Sequence, residues 1–131
     1  MFKVKIVTPN GLYREVETSI LNVVTTDGAR GVLTNHVPLV TMLKISKMST
    51  VENNVREEYA INGGMLYFKD NLATILTDSC EHSKEIDVER ARAAKERAEK
   101  RLANPNNIDI IRAETALLKA INRLNVSGKN Q

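Results

Sequence analysis

Apolar residues in the first 79 positions recur mostly at every second residue; beyond about residue 84 they recur at three and four. FKVKIV puts Phe2, Val4 and Ile6 on one face and both lysines on the other, the signature of a half-buried strand. T-P-N-G at 8–11 marks a turn. ILNVVTT at 20–26 is β-branched and apolar on both parities, as in a strand covered on both sides, and T-D-G at 26–28 marks the next turn. In VPLVTMLKI, Val37, Leu39, Leu43 and Ile45 are expected on one face. EYAI at 58–61 leads into Gly63 and Gly64, and MLYF and LATILT flank K-D-N at 69–71 as a hairpin. This spacing predicts seven or more short strands in an antiparallel sandwich or barrel.

The period changes at IDVERARAAKERAEKRL, a run of good helix formers with Asp87 at the N-cap or in the first turn. Val88, Ala91, Ala94, Ala98 and Leu102 make one narrow face. ANPNN at 103–107 stops that helix at Pro105. A second helix is expected over about 108–124, striped by Ile110, Ala113, Leu117, Ile121 and Leu124, with Ile111 and Leu118 widening the stripe; SGK at 127–129 should end it, leaving NQ as a frayed tail. The architecture is α+β: a β-domain over 1–82 and an αα-hairpin over 83–131. A hairpin of about 45 residues is near the size below which chains rarely fold alone. Its first helix offers alanine, which buries little apolar area. The hairpin therefore docks permanently as ordinary core, or is only conditionally folded; the pattern alone leaves both open.

Charge adds an asymmetry. Residues 1–80 balance eight basic against eight acidic side chains, whereas 81–131 carry eleven basic and eight acidic. Because Glu89, Glu96 and Glu99 interleave with Arg90, Arg97 and Arg101, this reads as a solvated helical surface before a nucleic-acid patch. Aromatics make up only 4%, which offers little for base stacking. No apolar run is long enough to span a membrane, and the N-terminus lacks a signal-peptide core. A single cysteine and two histidines favour neither disulfides nor structural zinc.

No catalytic constellation emerges. GxxxxGK[ST] and GxGxxG are missing from the sequence, and Glu57 and Glu58 alternate across a strand. His82, in CEHSKE, reads as a solvated linker residue. His36 lies in GVLTNHVPLVTML and has neither a nucleophile nor metal ligands beside it. It reads as a turn residue that delivers a core strand, with Gly31 permitting close approach and Pro38 near the strand start. Catalytic and metal residues are accordingly expected to be none.

Three blocks together resemble a known family. VTPNG with TTDGARGVLTNHVPLVTML, then INGGMLYFKDNLATILTDSCE, then IDVERARAAKERAEKRL followed by NRL are similar in order and spacing to the epsilon subunits of bacterial F-type ATP synthases (delta in mitochondrial naming). Thr34 stands where that family usually has proline, and Ser46 where glycine is common; both affect turn geometry. The resemblance implies a flattened sandwich of about ten strands, placed in the central rotor against the gamma subunit and the c-subunit ring. It implies a peripheral, non-catalytic subunit on the cytoplasmic face of the cell membrane, with no membrane insertion and no nucleic acid. The proton-driven ring would be coupled to the catalytic hexamer, and an extended hairpin would inhibit hydrolysis by reaching the alpha and beta subunits. The stretch holding Asp27, Gly28, Arg30, Gly31, Asn35 and His36 is implied as a rotor-contact loop. No cofactor is required, but regulatory ATP is implied by an I/L-D-x-x-R-A motif matched by Ile86, Asp87, Arg90 and Ala91. Arg97, Lys119 and Arg123 would supply phosphate donors, and Glu81 a contact to base or ribose. On residue chemistry alone, Asp87 is also explained as a simple N-cap, with the arginines solvated.

Overall fold

A computed structural model describes residues 1–128. Lys129, expected to close the second helix, and the tail of Asn130 and Gln131 lie outside the described residues. The chain divides into two compact units, Met1–His82 and a second from Ser83 onward.

The first unit is eight strands: β1 Phe2–Thr8, β2 Gly11–Thr18, β3 Ile20–Thr25, β4 Gly28–Leu33, β5 Leu39–Glu52, β6 Val55–Lys69, β7 Leu72–Leu76 and β8 Cys80–His82. They form one hydrogen-bonded sheet in the order β2-β1-β7-β6-β5-β3-β4, with β8 paired to β6. The sheet folds over itself because β5 and β6 are long, at 14 and 15 residues. Their ladder is broken at Lys44 and Gly63, between the pairs Leu43↔Gly64 and Ile45↔Asn62. On one side of the break β6 borders β7; on the other it borders β8. Each long strand thus serves both layers, which is why eight strands appear rather than about ten. Phe2, Val4, Ile6, Leu66, Phe68 and Ile75 from one layer meet Leu21, Val23, Val32, Met48, Tyr59 and Ile61 from the other in a single buried core.

Four local expectations are corrected. The sheet is mixed rather than antiparallel throughout, since β1 and β7 pair in parallel. The inward face predicted for Val37, Leu39, Leu43 and Ile45 holds only in the middle: Val37 precedes the strand and is 70% exposed, and beyond the break at Lys44 the buried positions become Ser46 and Met48. GARGVL, read as part of a loop, is strand β4, because its backbone pairs with β3 from Ile20↔Leu33 to Thr25↔Gly28. His82 is no solvated linker residue; it is 7% exposed and closes strand β8.

In the second unit a 3₁₀ turn, Ser83–Glu85, precedes helices α1 Val88–Ala103 and α2 Ile110–Ser127. Asp87 and Asp109 cap them by accepting from Arg90 N and Arg112 N at 3.0 and 3.1 Å. Capping by Asp109 moves the start of α2 past the expected residue 108. Its end moves from 124 to Ser127, where Gly128 adopts the left-handed conformation (φ 74°) that terminates helices. The buried seam is Ala91 and Ala98 against Ala113, Ala120 and Leu124; Val126 is also buried but, two residues from Leu124, lies on another face of α2. Ile110, Ile111 and Leu118 stay exposed, so the predicted stripe of α2 is narrower than its sequence suggests.

Candidate functional site

The seam alanines decide which way the charged side chains point. Successive helical residues are about 100° apart, so a residue just before a seam position projects to one flank of the hairpin. For two antiparallel right-handed helices, those preceding positions fall on the same flank. Arg90 and Arg97 precede Ala91 and Ala98; Lys119 and Arg123 precede Ala120 and Leu124. All four cations therefore share one flank. Arg90 and Arg97 are about 10 Å apart along α1, and Lys119 and Arg123 about 6 Å apart along α2. Arg90 lies in the first turn of α1 and Arg123 near the end of α2, so the antiparallel arrangement brings their levels together.

Around this flank, Ile86 is 8% exposed and anchors the chain entering α1, while Ala91 is buried in the seam. One oxygen of Asp87 is taken by Arg90 N, leaving the other available. The backbone of Arg90, and not its guanidinium, makes that cap. Glu81 lies on β8, at the end of the first unit, paired with Ala60.

The six residues read as a rotor-contact loop are also divided. Asp27 and Gly28 form the β3–β4 turn, where Thr25 Oγ1 accepts from Asp27 N at 3.1 Å and donates to the Gly28 carbonyl at 2.9 Å. Arg30 and Gly31 sit within β4, and Asn35 and His36 lie beyond its far end, about 20 Å away at the usual rise per residue. Asn35 is locked to the β6–β7 turn: its N donates to Asn71 Oδ1 at 2.7 Å and its Oδ1 accepts from Asn71 Nδ2 at 2.9 Å. Both asparagines have positive φ, 66° and 58°, which asparagine tolerates best among residues with a side chain. His36 Nδ1 is 2.7 Å from the Val37 carbonyl and so carries the hydrogen; its ring stands edge-on to Phe68 at 5.9 Å. His36 is a turn residue, held by the hairpin it faces.

Residues 1–83 match the family model of the ATP synthase delta/epsilon chain β-sandwich domain, and residues 84–128 that of its long α-helix domain. The chain belongs to the ATP synthase delta/epsilon family. It is 41% identical to the ATP synthase epsilon chain of Bacillus pumilus over 97% of both chains. It is 44% identical to that of Lactobacillus helveticus, covering 96% of this chain and 92% of the other. Among solved structures, it resembles a chain of the Euglena gracilis mitochondrial ATP synthase with a TM-score of 0.78 and 22% identity, over 90% of this chain and 76% of that one. A chain of the Tetrahymena thermophila mitochondrial ATP synthase central stalk and c-ring gives 0.60 and 14%, over 95% of each. These two establish a shared fold.

Two features of this family member escape a sequence reading. Arg101 and Arg112 precede Leu102 and Ala113, so they extend the basic flank to the loop end of the hairpin, where they line a hollow with Ile108 and Asp109. The signal was present as the position before each seam residue, but it could be read only once the seam was known. The second feature is an apolar row on the outer face of the sheet: Met42↔Met65, Met65↔Leu76, Leu76↔Val7 and Val7↔Leu12 place five side chains side by side. Leu12, Met42 and Leu76 are 58%, 55% and 42% exposed, and Val40 and Tyr67 extend the patch. Exposed apolar patches of this kind mark interaction surfaces. Its members come from five strands, and no local pattern links them.

Proposed function

We propose that this chain is the central-stalk epsilon subunit of an F-type ATP synthase, with a hairpin that inhibits ATP hydrolysis and senses ATP. The β-unit holds the gamma subunit and the c-subunit ring. The outer apolar row is one adhesive surface, and the turn residues Asp27, Gly28, Asn35 and His36 with Arg30 and Gly31 of β4 are further contacts. Support comes from the full-length similarity to epsilon chains and from a structural relative described as central stalk and c-ring. The subunit transmits rotation and leaves the chemistry of ATP to other chains. It is peripheral on the cytoplasmic face; among the described residues no helix is long and apolar enough to cross a membrane.

The basic flank of the hairpin carries the regulatory half of the proposal. ATP needs cations for its phosphates and an acceptor for the adenine amino group. Arg90, Arg97, Lys119 and Arg123 supply the first, and the second oxygen of Asp87 the other. Glu81 is a further candidate for base or ribose. ATP bound there favours the compact hairpin. At ten times its dissociation constant it contributes about 1.4 kcal/mol, enough to reset a balanced switch. Isothermal titration of the whole chain with ATP should release heat at millimolar concentration, and Arg90→Ala should abolish it. Arg90 is the cleaner probe, because alanine there keeps the backbone N–H that Asp87 caps. No heat from the unmodified chain would remove the sensing role.

One observation favours an alternative: Asp87 is already fully explained as an N-cap. The hairpin would then inhibit without sensing, its basic flank docking on acidic segments of the alpha and beta subunits. Both readings expect that ending the chain after Ser83, which retains His82 and β8, raises ATP hydrolysis by the reconstituted complex several-fold. Unchanged hydrolysis would argue against inhibition by the hairpin in either form.

A further inference from the structure

Asparagine followed by glycine occurs twice in the chain, at Asn10–Gly11 and at Asn62–Gly63. Such a pair can react with itself. The amide nitrogen after an asparagine lies within reach of that asparagine's Cγ, and glycine brings no Cβ to hinder the approach. The two groups must first be turned toward each other, so local order decides whether the reaction proceeds. The sheet places the two dipeptides in opposite settings.

Asn62 lies on β6, opposite Ile45 in the ladder with β5. Its backbone N donates to the Ser79 carbonyl at 3.2 Å, and its Nδ2 to Ser79 Oγ at 2.5 Å. Gly63 is buried, and a Cβ there would sit 3.3 Å from the Leu43 carbonyl oxygen. Turning the Asn62 side chain toward the Gly63 amide would break its bond to Ser79. Asn10 is the opposite case. Pro9 and Asn10 form the two-residue turn between β1 and β2, and both are exposed, as are Gly11 and Leu12. Among the described residues only the backbone of Asn10 is tied, its N donating to Thr8 Oγ1 at 3.3 Å. Gly11 has φ +109°, and nothing lies within 4 Å of where a Cβ would be. The ladder beside this turn is already irregular, its register shifting between Ile6 and Val7. Opening the turn therefore costs little, whereas freeing Asn62 requires disrupting the sheet.

We propose that Asn10–Gly11 is a self-modification site, where the chain ages by deamidation while the fold protects Asn62–Gly63. The Gly11 amide nitrogen, its proton taken by hydroxide, attacks Asn10 Cγ. A carbon–nitrogen bond forms, the Cγ–Nδ2 bond breaks, and Nδ2 leaves as ammonia with a proton from water. A water molecule then opens the cyclic imide at either carbonyl, leaving aspartate or isoaspartate; nothing is oxidised or reduced. Either product puts a carboxylate into the turn, and isoaspartate also inserts a methylene into its backbone. The pair Val7↔Leu12, which ends the outer apolar row, flanks this turn. Pro9 and Val7 line a hollow of about 310 Å³ with Leu76 and Asp78. Ageing thus places a negative charge at the rim of the row. The bearing of that charge on docking rests on the stalk role proposed above; the modification itself does not.

The test is incubation of the full chain without nucleotide in mildly alkaline buffer and, in parallel, in denaturant. Mass spectrometry of its peptides follows the conversion of amide to carboxylate. In buffer, Asn10 should convert at least about tenfold faster than Asn62. In denaturant the two rates should converge, because both dipeptides then move freely. Gly11→Ala should slow conversion at Asn10 several-fold and leave Asn62 unchanged. Equal rates in buffer, a rate ratio that survives unfolding, or an Asn10 rate indifferent to Gly11→Ala overturns the proposal. Failure of ATP titration would leave this result untouched, and failure of the modification would leave ATP binding untouched.

Discussion

Gly64→Ala is expected to destabilise the β-unit by about 4 kcal/mol or more, which is much of the stability of a domain this size. Gly64 has φ +123°, a conformation that alanine rarely adopts. A Cβ there would lie 1.9 Å from the Leu76 carbonyl oxygen, 2.9 Å from its carbon and 3.0 Å from Thr77 Cα. All three are backbone atoms of the neighbouring strand and its exit, so no rotamer change relieves the clash; β6 and β7 must separate. Gly11→Ala is the control. Gly11 has a similar φ of +109°, but nothing lies within 4 Å of the added carbon. Only the conformational cost remains, about 1 kcal/mol. Denaturant midpoints followed by circular dichroism would compare the two. Equal losses would show that the close approach at Gly64 contributes nothing.

Phe68→Ala should cost about 3–5 kcal/mol. Phe68 is fully buried, stands edge-on to Phe2 with centroids 5.4 Å apart, and pairs across strands with Leu39 and Ala73. Loss of the ring also removes the surface on which His36 rests, so the 34–38 loop should lose exchange protection along with global stability. Tyr67→Ala, one residue earlier, should cost under about 1 kcal/mol, because that ring is 46% exposed on the outer face. Its effect should appear instead as weaker binding to the stalk partner. Comparable destabilisation by the two substitutions would contradict the assignment of inner and outer faces.

The pairing of Phe68 with Tyr67 shows how far local pattern reaches. Alternation alone identifies strands in FKVKIV, MLYF and LATIL, and a helical period with an aspartate cap identifies α1. Both follow from near-neighbour sterics and from the side-chain periods of strand and helix. Alternation failed at Val37 and Ile45, because β5 starts later than its apolar run and changes inward face at Lys44. It failed again at His82. A three-residue strand has too little length to show a period, and its ring is buried only because Glu57 and Tyr59 arrive from β6 and Tyr13 from β2.

The candidate sites divide along the same line. Ile86, Asp87, Arg90 and Ala91 were legible as a contiguous motif. The shared flank of Arg90, Arg97, Lys119 and Arg123 was legible only as spacing on two separate helices. Its extension to Arg101 and Arg112 required the alanine seam, since which helical positions face inward depends on the partner helix. The outer row from Met42 to Leu12 was invisible, because cross-strand register joins residues far apart in the chain. The sequence by itself determined two units, most of their element types, the Asp87 cap and the basic charge of the hairpin, all set by interactions within a few residues. Tertiary structure alone decided the fold-over at Lys44 and Gly63, the parallel β1–β7 pair, the apolar row and the His82–Glu57 contact. Each of these depends on which distant backbones lie side by side, and that is a property of the packed sheet.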